Sequence, residues 1–188
     1  NGIVDKDEMT IETLSGIMTV SLIRHYGEVS GATVNMGKAI LAPHLVPVEL
    51  EPDENGRVVD RKVNIAGNDY NITCVVFMNN VDSLDIDKVG PEFEHDKIFP
   101  ERVNAEFIKV IDDHTLKMRV WERGSGETWA CGTGACAAAV AAVLNGFCKK
   151  DEEISVILKG GTLKIRYTDE AVYLTGDAVT VFSGHIVM

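Results

Sequence analysis

Between Gly134 and Leu144 the chain reads Gly-Ala-Cys-Ala-Ala-Ala-Val-Ala-Ala-Val-Leu, a helix-forming run with no polar residue on any face. Such a helix has nothing to offer water, so other elements must surround it. Asn145-Gly146 supplies the left-handed stop, with Lys149 and Lys150 just beyond it, so the helical region is read as 131–146. Most of the remaining chain is β-prone, and the fold expected is α+β: a curled, mostly antiparallel, barrel-like sheet around this central buried helix.

The strands are marked by apolar runs between turn signals. Thr10 to Leu14 and Ile17 to Ile23, separated by Ser15-Gly16, read as a hairpin, and Ala32 to Met36 as a further strand. A domain that opened on a lone hairpin would leave its sheet edges unpaired, so residues 1–42 read as the remnant of a second, similar domain. Residues 43–60, with Pro43, Pro47, Pro52 and Glu49-Leu50-Glu51, read as a crossing segment.

Residues 61–176 then form the main domain. Tyr70 to Met78 is a strand candidate, and Val81 to Phe93 holds a short helix bearing Leu84, Ile86 and Val89. Ala105 to Ile111 and Thr115 to Trp121 are two strands joined at Asp112-Asp113-His114. Ile154 to Leu158, Leu163 to Tyr167 and Ala171 to Leu174 follow the helix. Residues 177–188, with Val179 to Phe182 β-prone, are expected to return to the front unit as a terminal strand.

The net charge of −11 and pI near 4.8 disfavour nucleic acid and anionic membrane as partners, since both would be approached against repulsion. No apolar run is long enough for a membrane helix and no signal-peptide core opens the chain, so a cytoplasmic location is expected. Cys74, Cys131, Cys136 and Cys148 show neither a disulfide-framework pattern nor zinc-site spacing, and reduced thiols are expected. Cys74, Cys136 and Cys148 read as core or bystander residues.

Cys131-Gly132-Thr133-Gly134 opens the buried helix, where unpaired backbone N–H groups and the positive dipole end meet whatever lies in front. An anion is expected there, brought close by glycines that lack a Cβ and helped by the Thr133 hydroxyl. The same field favours a thiolate, so Cys131 is expected to have a lowered pKa. A thiolate beside a carboxylate nest can attack an acyl or disulfide centre, or remove the proton α to the carboxylate. No histidine lies near Cys131 in sequence, which favours the second use. Gly132 to Ala137 formally resembles a dinucleotide fingerprint, but no apolar strand runs into it and no P-loop lysine follows.

The run Trp121-Glu122-Arg123-Gly124-Ser125-Gly126-Glu127-Thr128, followed by Ala130-Cys131-Gly132-Thr133-Gly134-Ala135-Cys136, closely resembles the second active-site motif of the diaminopimelate epimerases. Phe99 to Phe107, Asn71 to Phe77, Glu12 to Gly16 and Val34 to Gly37 extend the resemblance over nearly the whole chain. It implies two facing α/β units with the substrate between two helix N-termini, and one cysteine on each face of the α-carbon. One thiolate takes the proton and the other thiol returns it, without pyridoxal phosphate, metal or nucleotide.

Carried over by position, the resemblance makes Cys131 a catalytic thiol, with Glu122 in the same active-site cluster. Gly132 and Thr133 would hold the reacting carboxylate, and Asn71, Asn104 and Arg123 the distal amino-acid end. The implied reaction interconverts LL- and meso-diaminopimelate, for lysine and peptidoglycan precursors. The expected partners are a small amino-acid substrate, a missing N-terminal segment and, as an open option, a second copy in a homodimer.

Two departures bear on this. The family's first motif, Glu-Cys-Gly-Asn-Gly, belongs ahead of Glu12 and is not among these residues, so the chain is expected to be inactive alone. Where the family carries Gly-Asn-Pro-His-Cys, this sequence reads Tyr70-Asn71-Ile72-Thr73-Cys74, so Thr73 replaces a histidine that titrates near neutrality. The alternatives are an epimerase of another amino acid in the same fold, or a truncated, non-catalytic binding domain.

Overall fold

A computed structural model describes residues 5–14, 16–46, 48–72 and 75–186, with backbone alone for residues 71 and 72. Ser15, Pro47, Thr73 and Cys74, which the sequence reading used, lie outside the described residues.

Among the described residues, twelve strands and two α-helices follow one another. The front strands are β1 (Glu8–Thr13), β2 (Gly16–His25) and β3 (Glu28–Asn35). After a single 3-10 turn at Pro43–Leu45 come β4 (Arg61–Ile65), β5 (Asn68–Ile72) and β6 (Val76–Phe77), then α1 (Ile86–Glu94). The rest is β7 (Ala105–Asp112), β8 (Thr115–Glu122), β9 (Gly126–Thr128), α2 (Gly132–Leu144), β10 (Glu153–Leu158), β11 (Gly161–Tyr167) and β12 (Val172–Asp177).

The strands form one continuous sheet in the order β1-β2-β3-β12-β11-β10-β8-β7-β6-β5-β4, with β9 paired to β8. Every pairing is antiparallel except β8 with β10 and β6 with β7. The sheet curls around α2 without closing: β1 and β4 remain edges. This is the expected sheet-dominated α+β fold around a buried helix.

The β7–β8 hairpin turns where expected, with the Asp112 side chain accepting from the His114 amide at 2.9 Å. Alternation then divides the side chains. Leu116, Met118 and Val120 of β8 and Ile154 and Val156 of β10 face α2, in a core that includes Ala135, Ala138, Ala139 and Ala142. Phe107 of β7 points the other way, to a second core with Ile86 and Phe93 of α1, while its neighbour Ile108 joins the α2 core. Strand β7 is thus covered on both faces over its first half, and any polar side chain there is buried by position.

Helix α2 ends as the Asn-Gly pair predicts. Gly146 takes φ +76, its N–H donates to the Val143 carbonyl at 3.0 Å and that of Phe147 to Ala142 at 2.9 Å, the paired bonds of a Schellman stop.

Two expectations change. The front hairpin is not left without a partner, because β3 pairs with β12 from Tyr173↔Asn35 to Asp177↔Gly31. No terminal strand forms over 178–186: the strand that returns to the front unit is β12, and beyond the Ala178 amide bond to Ser30 the chain is unpaired and exposed. With β2 on its other side, β3 has no free edge to offer Val179 to Phe182.

A glycine sets the seat of α1. A Cβ at Gly90 would lie 2.3 Å from the Trp121 ring, so helix and indole meet only because it is absent. In Gly90→Ala, helix propensity gains about 1 kcal/mol, but overpacking against a ring held on both sides costs about 1–3 kcal/mol. Urea unfolding is expected to show a net loss of stability; a variant more stable than the parent would contradict this packing.

Candidate active site

Cys131 is the N-cap of α2. Its backbone is extended, at φ −136 and ψ 109, and its sulfur accepts the Gly134 amide at 3.4 Å. The Thr133 hydroxyl lies 3.5 Å from the same sulfur. Gly132 and Thr133, the first two residues of the helix, have no N–H partner within it, so their amides open toward the space in front.

The end of β8 and the residues ahead of β7 form the facing wall. Asn104 accepts the Arg123 amide at 2.8 Å, and the Arg123 guanidinium donates to the Glu101 carbonyl at 2.7 Å. The Glu122 carboxylate accepts from the Thr128 hydroxyl across the short β8–β9 pairing. Behind them Glu94, buried at the end of α1, accepts from Trp121 Nε1 at 2.8 Å, the Gly124 amide at 3.1 Å and Arg102 at 3.3 Å. Those bonds hold its carboxyl below the usual carboxylate range, the indole N–H contributing most. One acid on α1 thereby fixes the loop that carries Glu122 and Arg123.

A cleft of about 280 Å³ runs between these walls, lined by Asn104, Arg123, Thr133 and Gly134 together with Arg102 and Glu106. An apolar groove along α2 shares Thr133 and Ala137 with it and continues past Met36, Ile40 and Val58. The structure therefore brings Asn104, Arg123 and Thr133 to one cleft; Cys131 and Gly132 stand just ahead of Thr133 at the start of α2, and Glu122 is close enough to act on Cys131 electrostatically. The Asn71 side chain and all of Thr73 lie outside the described residues, although the Asn71 backbone pairs with Lys62 in the β4–β5 hairpin.

The acidity of Cys131 departs from expectation. Burial pushes the thiol up, and the charges of Glu106 and Glu122 add to that; the Thr133 hydroxyl and Gly134 amide pull the other way without prevailing. With the residue only 7 % exposed, desolvation of the anion outweighs one helix end. Cys131 therefore rests as a thiol. Burial pushes Cys136 to about 12 and Cys148 to about 11, which leaves both out of proton chemistry near neutrality.

Glu106 is the site residue that sequence reasoning missed. It is 4 % exposed and lines the cleft, and burial pushes its carboxyl up to about 8. Its sequence signals are an acid inside the apolar run Ala105-Glu106-Phe107-Ile108 and a place in Phe99 to Phe107, one of the runs that carry the resemblance.

With the geometry in place, comparison with known proteins defines the class and then the family. A probable proline racemase from Agrobacterium radiobacter K84 superposes with a TM-score of 0.63 at 13% identity, covering 98% of this chain and 62% of that one. A phenazine biosynthesis protein of the PhzF family from Enterococcus faecalis gives 0.57 at 11%, covering 93% and 62%. At such identities the likeness shows the fold alone, the one shared with racemases and epimerases.

The family model for diaminopimelate epimerase matches residues 71–181. Diaminopimelate epimerase of Desulfovibrio desulfuricans is 50% identical over 198 residues, covering 98% of this chain and 68% of the relative. That of Acetivibrio thermocellus is 43% identical over 195 residues, covering 98% and 68%. The chain belongs to the diaminopimelate epimerase family, and so to the isomerases. It spans about two thirds of the length of these relatives. The matches run longer than the 188 residues here, so both relatives carry residues inside the matched stretch that this chain lacks.

The buried acid predicts a pH dependence of stability. Between the ordinary carboxyl value of 4.5 and about 8, folded Glu106 keeps a proton that the unfolded chain releases. Stability from this group is therefore complete below that window and lost as pH rises through it, by up to about 1.4 kcal/mol per pH unit. Glu106→Gln should flatten the slope in urea unfolding across this range; equal slopes in both proteins would refute the assignment.

Proposed function

We propose that this chain supplies one face of an amino-acid epimerase site that interconverts LL- and meso-diaminopimelate, the step that serves lysine and peptidoglycan precursor synthesis. The observation that carries the reading is Cys131 as sulfur N-cap of α2, two residues ahead of Thr133, which lines one cleft with Asn104 and Arg123. Family membership supports the choice of substrate.

In this reading the reacting carboxylate sits on the Gly132 and Thr133 amides, where the helix end favours an anion. That places the α-carbon beside the Cys131 sulfur. Asn104 and Arg123, already tied together across the facing wall, hold the distal amino and carboxyl groups, so one stereocentre is presented and the other kept away. Glu122 belongs to the same polar cluster. Asn71 is assigned to the distal end by resemblance alone.

Because Cys131 rests protonated, it serves as the acid that returns a proton to its face of the α-carbon. The base must approach from the opposite face. In the reverse direction the roles exchange, and Cys131 becomes the base once its proton has been delivered. The Glu-Cys-Gly-Asn-Gly motif that supplies the opposing thiol in the resemblance is not among these 188 residues. The 188-residue chain by itself is therefore expected not to complete the inversion.

The test is α-proton exchange of diaminopimelate in deuterated solvent, with the opposing-thiol segment present on the polypeptide. Cys131→Ser is expected to lower exchange by about 10²-fold or more, since a hydroxyl neither ionises nor transfers a proton comparably. Undiminished exchange in that variant would remove the proposal, as would equal exchange by the 188-residue chain alone.

A further inference from the structure

One acid in the core has no part in the reaction described so far. Glu106 stands second in β7, where the strand is covered on both faces. Nothing in the sheet calls for a carboxyl at that position: backbone groups pair β7 with β8 and β6, and Phe107 and Ile108 fill the two cores.

The side chain turns toward the start of α2. A Cβ built on Gly134 would lie 2.6 Å from Glu106 Oε1, 3.1 Å from its Cγ and 3.2 Å from Cys131 Sγ. Carboxyl and sulfur thus border the same small volume, and they can do so only because residue 134 has no side chain. The groups facing the pair come from three elements. Glu122 of β8 acts on both, Cys136 of α2 lies within electrostatic reach of Cys131, and Glu106 itself comes from β7. The nearby cations are committed elsewhere: Arg102 to Glu94, Arg123 to the Glu101 carbonyl, Arg119 to Glu127.

We propose that Glu106 is a positioning residue for the thiol site, one that governs the sulfur through its own charge: as a neutral acid in the gap at Gly134 it permits the Cys131 thiolate, and as a carboxylate it opposes it. The inference rests on the reading of Cys131 as the acid/base thiol. It requires no bond changes beyond O–H and S–H. The carboxyl titrates at about 8, ahead of a thiol held above the ordinary thiol range, so raising the pH charges Glu106 first and then delays the sulfur. At neutrality the carboxyl is mostly neutral, and a thiolate formed during turnover meets no second charge from β7.

The experiment is the pH dependence of iodoacetamide alkylation at Cys131 in the 188-residue chain, resolved peptide by peptide by mass spectrometry. Glu106→Gln, which imitates the neutral acid, is expected to lower the alkylation midpoint of Cys131 by about one pH unit. Cys148, whose charged neighbours are Asp112 and Asp113, is expected to keep its midpoint and serves as the internal reference. A Cys131 midpoint unchanged in Glu106→Gln overturns the proposal, and so does an equal shift at Cys148.

Should Glu106→Gln fail to fold by circular dichroism, the unmutated chain decides. Two coupled groups give an alkylation curve wider than that of a single proton, and a one-proton curve overturns the inference. The readout is independent of turnover. Undiminished exchange in Cys131→Ser would remove the epimerase reading and leave the Glu106 shift standing, while loss of the shift with exchange still dependent on Cys131 would remove only Glu106.

Discussion

A helix with no polar face, ending on a sulfur, sets the terms for everything around it. Because α2 cannot face water, the sheet must wrap it, and the wrapping brings the ends of β7 and β8 to the same end of the molecule as its first turn. Cys131 caps that turn by accepting the Gly134 amide, so one bond both finishes the helix and aims the sulfur. The cleft follows from burying α2 rather than from any separate device.

The same burial decides the chemistry of the sulfur. A helix end alone would favour the anion, as it does at exposed cysteines. Here the sheet removes water from the sulfur as it covers the helix, and brings two acids, Glu106 and Glu122, to the same place. The outcome is a thiol at rest whose ionisation depends on neighbours from two different strands. Glu94 contributes from further back, holding the Trp121-to-Gly124 segment so that Arg123 and Asn104 stay joined.

Much of this was legible in the residues themselves. The apolar run and its Asn-Gly stop marked α2 almost to the residue, and the Asp-Asp-His cluster marked the β7–β8 turn. By resemblance, Arg123 and Thr133 in the run Trp121 to Cys136 and Asn104 in the run Phe99 to Phe107 were assigned to a substrate site; all three line one cleft, which leaves their roles to experiment. What stayed hidden depends on covering from afar. An acid in a strand reads as solvent-facing unless one knows that α1 closes one face of β7 and α2 the other, so Glu106 passed unnoticed. The acidity of Cys131 was misjudged for the same reason: the helix dipole is visible locally, the loss of water around the sulfur under the sheet is not. The return strand was misplaced because pairing needs a vacant edge, and β3 had already given its second edge to β12.

The pairing of β3 with β12 has a consequence for how the molecule is made. Thr33 and Thr175, whose hydroxyls meet at 2.8 Å, are 142 positions apart, so this contact closes one of the longest loops in the chain. Pairings of that reach form slowly and late. During synthesis the front strands leave the ribosome long before β12 exists, and Ile11, Ile17 and Ile23 on β1 and β2 stay exposed even once the fold is complete. For that interval the edge of β3 that β12 later takes is open beside this apolar surface, the kind of strand edge that holding chaperones shield from neighbouring chains.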